Sequence, residues 1–166
     1  MNEATPRLGF PLMASGQAQK EITHNEAIMM ADILVQPTVQ AVAPPAIPVS
    51  PSPGQCWIVG EGATAAWAGQ DNAIACWTDG GWRFVPSYPG MRAWSLADGL
   101  EAFRTNNRWV VGLVDAAAVK VGGVQVVGPR QPAISNVSGG TVVDTEVRAT
   151  LGAILAALRK HGLIET

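Results

Sequence analysis

The spacing of apolar residues changes along the chain and predicts a helix at each end, with short strands between them. Residues 15–36 carry apolar side chains at helical intervals, among them Ile22 and Ile33. Ser15 is the candidate N-cap, and Pro37 cannot continue the helix. This pattern predicts an amphipathic N-terminal helix.

A proline-rich connector and a series of short strands follow the first helix. Residues 37–53 contain six prolines and almost no charge, which predicts an extended connector. Beyond it, IACWTDGGWRF predicts a hairpin that turns at residues 78–81, and EAFRTNNRWVV predicts another around Asn106 and Asn107. The Gly-Gly pair of VKVGGVQVV marks a further bend between strands.

The C-terminal segment has the clearest helical pattern. Its apolar positions follow the four-three-four spacing of a coiled-coil seam: Val147, Leu151, Ile154 and Leu158. Asp144 is a candidate N-cap, alone or in a capping box with Thr141, and Gly162 fits the position just past the end. Because a helix of about two heptads is marginal alone, the seam is expected to pack on the β region or on copies of itself.

These elements predict an α+β fold that is mainly β. We expect an N-terminal helical arm at 1–36, a proline-rich linker at 37–53, a Trp-rich antiparallel β domain at 54–136 and a C-terminal oligomerising helix at 137–166. The arm, separated from the sheet by the linker, is expected to dock on a neighbouring subunit or particle.

Composition narrows the classes of partner. The formal net charge is −2 with a pI of about 5.6, so the chain lacks the basic surface that phosphate binding requires, and we expect no nucleic acid partner. Charged residues make up 14% of the chain, which predicts a largely neutral surface covered by partners. No signal peptide or membrane span is expected, and synthesis is expected in the bacterial cytoplasm.

Motifs for catalysis or metal binding do not stand out. The chain has no nucleophile elbow, phosphate-binding loop, HExxH or CxxC pattern, so we expect no catalytic residues, no metal, no cofactor and no enzymatic activity. Cys56 and Cys76 are expected to be buried thiols, and a disulfide between them requires that their strands be neighbours.

The six tryptophans allow two interpretations. In one they form the core of a small sheet; in the other, two or three are exposed and stack on sugar rings. Trp57 and Trp77 lie in apolar runs and are expected in the core. Because they follow tight turns, Trp82 and Trp109 are expected at the surface, and with Asn106 and Asn107 they are the candidate contacts for a glycan or a partner.

The order of three segments resembles the DUF2793 family, a domain of unknown function found in prophages and gene transfer agents of alphaproteobacteria. These segments are TPRLGFPLMASGQAQKEITHNEAI, PGQCWIVGEGATAAWAG and IACWTDGGWRF, and the resemblance covers about residues 5 to 110. The C-terminal stretch from VGGVQVVGPRQPAI onward is similar to oligomerisation segments of phage fibre and spike proteins.

The resemblance implies a structural protein of a phage-like particle. It would be the base or adaptor of a spike or fibre on the head or the tail, bound to capsid or fibre proteins and located in the virion. A homo-oligomer is expected, either a trimer or a pentamer. The alternative is a carbohydrate-binding module that contacts host capsule polysaccharide.

Overall fold

The computed structural model describes residues 4–14, 16, 20–141 and 144–165. The helices are α1 (Lys20–Leu34) and α2 (Thr145–Lys160), and a short 3-10 helix spans Ala65–Trp67. The strands are β1 (Thr38–Val39), β2 (Cys56–Ile58), β3 (Ile74–Thr78), β4 (Gly81–Val85), β5 (Arg92–Ser95), β6 (Leu100–Arg104), β7 (Trp109–Val111), β8 (Val119–Val121) and β9 (Val124–Val127). This is the α+β, mainly β, fold that the sequence predicts.

The chain forms two compact units, residues 1–113 and 114–166, rather than the four segments expected from the sequence. The expected arm and linker both belong to the first unit, because each contributes residues to its sheets or core. Residues 114–136, expected in the β domain, belong instead with α2, since β8 and β9 pair only with each other in the described part of the chain.

Two sheets make up the first unit. One has the order β2-β3-β4 and is antiparallel throughout. The other has the order β1-β5-β6-β7 and is antiparallel except for the β1–β5 pair, which is parallel. The predicted hairpin at residues 78–81 joins β3 to β4, and the Thr78 hydroxyl donates to the Gly81 carbonyl (2.8 Å) across the turn.

The β2-β3-β4 sheet is covered on both faces because alternate residues of a strand point to opposite sides. On one face, Ile58 and Ile74 pack with Ile33, Val39 and other residues of the main core. On the opposite face, Trp57 and Ala75 form a second cluster with Trp67, against which Trp82 and Phe84 also pack. The short aromatic runs of this sheet therefore supply two cores.

The proline-rich segment takes part in both sheets. Strand β1 pairs with β5, and the amide of Trp94 donates to the Pro37 carbonyl (2.8 Å). Immediately afterwards the chain turns to β2, where the amide of Gln40 donates to the Cys56 carbonyl (2.7 Å). The prediction that this connector separates α1 from the β region was wrong, because residues 37–40 form hydrogen bonds to strands of both sheets.

The N-terminal segment is joined to the end of α1 by a buried carboxylate. Asp32 is 1% exposed, and its oxygens accept from the Thr5 hydroxyl (2.8 Å), the Leu8 amide (2.7 Å) and the Arg7 amide (3.2 Å). The Arg7 guanidinium donates to the last carbonyls of the helix, including that of Ile33 (3.0 Å). The expectation that residues 1–36 form an arm separate from the sheets was therefore wrong. Residues 5–8 hold α1 against the core through hydrogen bonds that the spacing of apolar residues in α1 does not indicate.

The described part of α1 runs from Lys20 to Leu34, within the predicted 15–36, and the predicted N-cap Ser15 lies outside the described residues. Ile33 is buried as expected, whereas Ile22 and Met30 are exposed. The apolar stripe is thus buried only at its C-terminal end, where it joins the core.

The second unit contains the β8–β9 hairpin and α2. The hairpin turns at Gly122 and Gly123, both with positive φ (+55° and +81°), as a type I′ turn requires. Asp144 caps α2 by accepting from the Val147 amide (2.9 Å), and Gly162 (φ +70°) follows its end, both as predicted.

Candidate functional site

Trp82 is half-buried and lies at the centre of an aromatic cluster. Its ring meets Trp57, Trp67 and Trp77 edge-on, with centroid distances of 5.6, 5.2 and 5.0 Å. Edge-to-face contacts at these distances are favourable, and three of them fix one ring from several sides. Trp82 was expected at the surface, but it is only partly exposed, because the hairpin turn brings it opposite Trp77 and into this cluster.

Trp109, in contrast, is part of the interior. It is 7% exposed, belongs to the main core, and donates from Nε1 to the Asn72 carbonyl (2.9 Å). Asn106 and Asn107 are exposed in the turn between β6 and β7, as expected. The four predicted contact residues do not form one surface, because Trp82 and Trp109 belong to different clusters and only the asparagines are exposed.

The prediction for the other tryptophans holds in part. Trp57 is buried as expected, and Trp77 is half-buried beside Trp82. Trp94 has the most exposed tryptophan side chain, at 48%. It lies in β5, where the small residues Ala93 and Ser95 point inward and are buried. Trp94 is the functional candidate that the sequence interpretation missed.

Trp94 lies in an open groove of about 400 Å³ on the outer face of the β1-β5-β6-β7 sheet. The groove is lined by Gln36, Pro37, Thr38, Arg92, Ala93, Trp94 and Glu101. Glu101 is opposite Trp94 in the register of β5 and β6, and Thr38 is opposite it in β1. The sheet therefore places one indole ring between polar side chains from two neighbouring strands.

Charges of both signs flank the exposed indole. Arg92 and Glu101 form an ion pair, and their side chains are 53% and 42% exposed. The Arg92 guanidinium also lies over the Phe103 ring, 5.0 Å from its centroid, which restrains it. The groove thus offers an apolar ring for stacking together with hydrogen-bond donors and acceptors that solvent can reach.

The predicted seam residues share one side of α2. Val147, Leu151 and Ile154 are exposed, and Leu158 is half-exposed. Exposed valines also occupy the hairpin, where Val121 and Val124 are directly opposite each other. The second unit therefore presents apolar side chains on both of its elements.

The two cysteines are free thiols, and both are buried in the main core. Their strands are neighbours, which meets the condition that the sequence analysis left open. Within the described residues, no group of three or more His, Cys, Asp or Glu side chains is placed to hold a metal ion. Nor does the described part of the chain contain a helix with the length and apolar character needed to cross a membrane.

Comparison with known proteins gives one family. A family model described as "Protein of unknown function (DUF2793)" matches residues 24–110, which is more than half of the chain. The match covers most of the first unit, including both of its sheets as far as β7. No curated protein matches the chain.

Proposed function

We propose that this chain, which belongs to the DUF2793 family, is a structural component of a phage-like particle or gene transfer agent. In this proposal it serves as the base or adaptor of a spike or fibre, on the head or the tail, and carries no enzymatic activity. Residues 1–113 are the folded scaffold, and residues 114–166 join copies of the chain to each other. The particle assignment draws on the family resemblance, and the joining function draws on the second unit.

The exposed apolar surface of the second unit is the observation that carries the proposal. In its described residues only Ile164 is buried among the large apolar side chains. Those that remain exposed are Val114, Val119, Val121, Val124, Val126, Val127, Ile134, Val137, Val147, Leu151, Ile154 and Leu163. Apolar surface of this extent marks an interaction site, since water contact with each side chain is unfavourable.

Copies of the same chain are the occupants that best fit this surface. The spacing of Val147, Leu151, Ile154 and Leu158 is that of a seam that packs against identical seams. Identical chains with identical seams close into a symmetric ring of defined copy number. A trimer would match a fibre, whereas a pentamer would match a capsid vertex.

The mass of the assembly in solution tests this proposal. We expect the wild-type chain to form a defined oligomer by light scattering, and the variant Leu151→Asp/Leu158→Asp to shift to monomer, because each Asp places a charge in the seam. The matched control is Ala149→Asp/Ala156→Asp, which adds two charges at exposed positions on the opposite side of α2.

A monomeric wild-type chain would refute the joining function outright. An oligomer that survives the seam charges would place the contact elsewhere. If the oligomer is present but purified particles of the source phage or gene transfer agent lack the chain by mass spectrometry, the particle assignment fails while the joining function stands.

Glycan binding is a second candidate function, favoured by the Trp94 groove. Sugar rings stack their apolar faces on exposed indoles, and their hydroxyls bond to flanking charged or amide groups. Trp94 provides such a ring, and Arg92 and Glu101 provide the flanking groups. The site differs from the four residues predicted from the sequence.

Binding to immobilised bacterial capsular polysaccharides, with dextran as the neutral comparison, tests the groove. We expect Trp94→Ala to weaken binding at least roughly tenfold and Trp94→Phe to weaken it less, because phenylalanine keeps an aromatic face. Tyr88→Ala is the matched control, since Tyr88 is an exposed aromatic residue that does not line the groove. Equal binding by all three variants would contradict a glycan site at Trp94.

A further inference from the structure

Cys56 and Cys76 occupy directly opposite positions in the antiparallel pair of β2 and β3. The amide of Trp77 donates to the Gln55 carbonyl (2.9 Å), so the adjacent pair of residues is hydrogen-bonded. Because hydrogen-bonded and non-hydrogen-bonded pairs alternate, Cys56 and Cys76 form a non-hydrogen-bonded pair. The Cα atoms of such a pair are about 4.5 Å apart, within the range that a disulfide spans.

The two side chains point to the same side of the sheet. Residues opposite each other in register share a face, and both cysteines belong to the main core. They are 2% and 1% exposed, so no other chain reaches them in the folded state. The hydrogen bond between the two thiols, together with burial, raises the pKa of Cys56, and the same hydrogen bond lowers the pKa of Cys76. Cys76 is therefore the thiol that more readily gives the reactive thiolate, although burial limits the access of an oxidant to both thiols.

We propose that Cys56 and Cys76 are a cross-strand dithiol that closes to an intramolecular disulfide when the folded chain meets a low-molecular-mass disulfide as oxidant. That the disulfide is closed in released particles rests on the proposed function, since particles leave the reducing cytoplasm. Closure itself follows from the strand register and is independent of that function.

The reaction proceeds by two thiol–disulfide exchanges. The thiolate of one cysteine attacks a sulfur of the small disulfide, which forms a mixed disulfide and releases one small thiolate. The thiolate of the second cysteine then attacks the protein sulfur of that mixed disulfide and releases the other small thiolate. Two protein thiols are oxidised, one small disulfide is reduced to two thiols, and the two protons pass to the released thiolates.

The bond would fix the register of the sheet that carries the tryptophan cluster. Trp57, next to Cys56, and Trp77, next to Cys76, belong to that cluster on the opposite face. A shift of one residue between β2 and β3 would turn every side chain to the other face. The disulfide would prevent that shift, and closing the loop between the cysteines would restrict the unfolded chain.

Equilibration of the full chain with 2-hydroxyethyl disulfide and its thiol tests the proposal. Remaining thiols are alkylated with iodoacetamide, and intact mass and peptide mapping report the products. We expect a product lighter than the reduced chain by about 2 Da, the loss of two hydrogens in disulfide formation, with no alkyl groups and a Cys56–Cys76 crosslinked peptide. We also expect the Tm to rise by about 5–15 °C.

Measuring the same thiol–disulfide equilibrium in urea shows whether the folded structure favours the disulfide. In urea the two cysteines are held together only by the chain between them. By thermodynamic linkage, the factor by which the disulfide favours folding equals the factor by which folding favours the disulfide. We therefore expect the equilibrium constant for disulfide formation to be about tenfold or more larger in the folded chain than in the urea-unfolded chain. Equilibrium removes any delay caused by burial. Cys56→Ala and Cys76→Ala are the matched controls, and neither can lose the two hydrogens.

Four results would overturn the proposal. They are a folded-to-unfolded ratio of one or below, two alkylated cysteines under conditions that oxidise the unfolded chain, a lasting mixed disulfide, and a disulfide-linked dimer. Failure of the particle assignment would leave the expected masses and the ratio unchanged, so the two proposals are tested separately.

Discussion

Replacing Asp32 with alanine removes the group that joins the N-terminal segment to α1. The carboxylate is 1% exposed and accepts three hydrogen bonds, from the Thr5 hydroxyl and from the amides of Arg7 and Leu8. Its neighbour Ile33 packs directly into the main core. The variant Asp32→Ala therefore tests whether α1 is part of the first unit.

The expected cost follows from the groups left without a partner. A buried donor that loses its acceptor costs about 1–3 kcal/mol. The Thr5 hydroxyl is buried and cannot turn to water, whereas the Arg7 and Leu8 amides are partly reachable and cost less. We expect a total of about 3–5 kcal/mol for Asp32→Ala. For a unit of this size, the loss corresponds to a fall in Tm of roughly 10–20 °C.

Tryptophan fluorescence during thermal unfolding is the suitable assay, because all six tryptophans lie between Trp57 and Trp109. The signal therefore reports the sheets and not the helix that carries the mutation. An arm that folded separately could lose Asp32 without changing this signal. A lower Tm of the tryptophan transition would show that the helix and the sheets unfold together.

Glu26→Ala is the matched control on the same helix. Glu26 pairs with Arg83, but both side chains are about half exposed, at 47% and 49%. An exposed pair contributes about 0–1 kcal/mol, so this variant should melt within a few degrees of the wild type. An Asp32→Ala variant that melts like Glu26→Ala would refute the reasoning and restore the view of α1 as an independent arm.

Two further predictions concern Trp82 and Trp109, which were expected at the surface. Trp82→Ala should lower the free energy of unfolding by about 3–5 kcal/mol in urea titrations, as much as Trp57→Ala, because Trp82 contacts three other indole rings; a variant as stable as the wild type would mean that the cluster does not depend on it. Trp109→Phe should cost about 1–3 kcal/mol, since it removes the hydrogen bond from Nε1 to the Asn72 carbonyl and part of a buried ring, while the Ser87 hydroxyl still donates to that carbonyl. An unchanged urea midpoint would show that neither the hydrogen bond nor the larger ring contributes to stability.

Local chemistry allowed the turns and helix ends to be predicted. The Gly122-Gly123 pair adopts positive φ at both positions, which few other residues tolerate. These two glycines were therefore enough to predict the turn. Asp144 and Gly162 likewise bound α2 where capping chemistry predicts. These features depend on neighbours within a few residues, and the sequence displays those neighbours directly.

Long-range pairing could not be predicted in the same way. Strand β1 has only two residues, Thr38 and Val39, and its partner β5 lies more than fifty residues away. Neither a period nor a turn marks such a short parallel strand, and the prolines in the segment around it favour a connector. The hydrogen bonds from residues 5–8 to Asp32 span 24–27 residues, beyond the reach of a local pattern, which explains why α1 was expected to be detached.

The residues next to Trp94 in the sequence indicate that its side chain is exposed. Arg92 and Trp94 are two residues apart in a strand and so share a face, and an arginine on that face indicates that it meets water. The inward positions go to Ala93 and Ser95, which stand opposite the buried Ala102 and the exposed Leu100 of β6. Because Ala93 and Ser95 are small, the backbone of β5 can lie close to the core. The large Trp94 ring then projects from the opposite face of the strand.

The second unit has little buried core of its own, unlike the first, so its stability can depend more on contacts with other chains. A helix of 16 residues and a two-stranded hairpin are each marginal in water, and the buried side chain of Ile164 gives them little shared core. If copies cover the seam of α2 and the valines of the hairpin, folding of this unit and association become one equilibrium. Its transition would then shift with protein concentration, whereas the first unit, with its own two clusters, would unfold at a temperature independent of concentration.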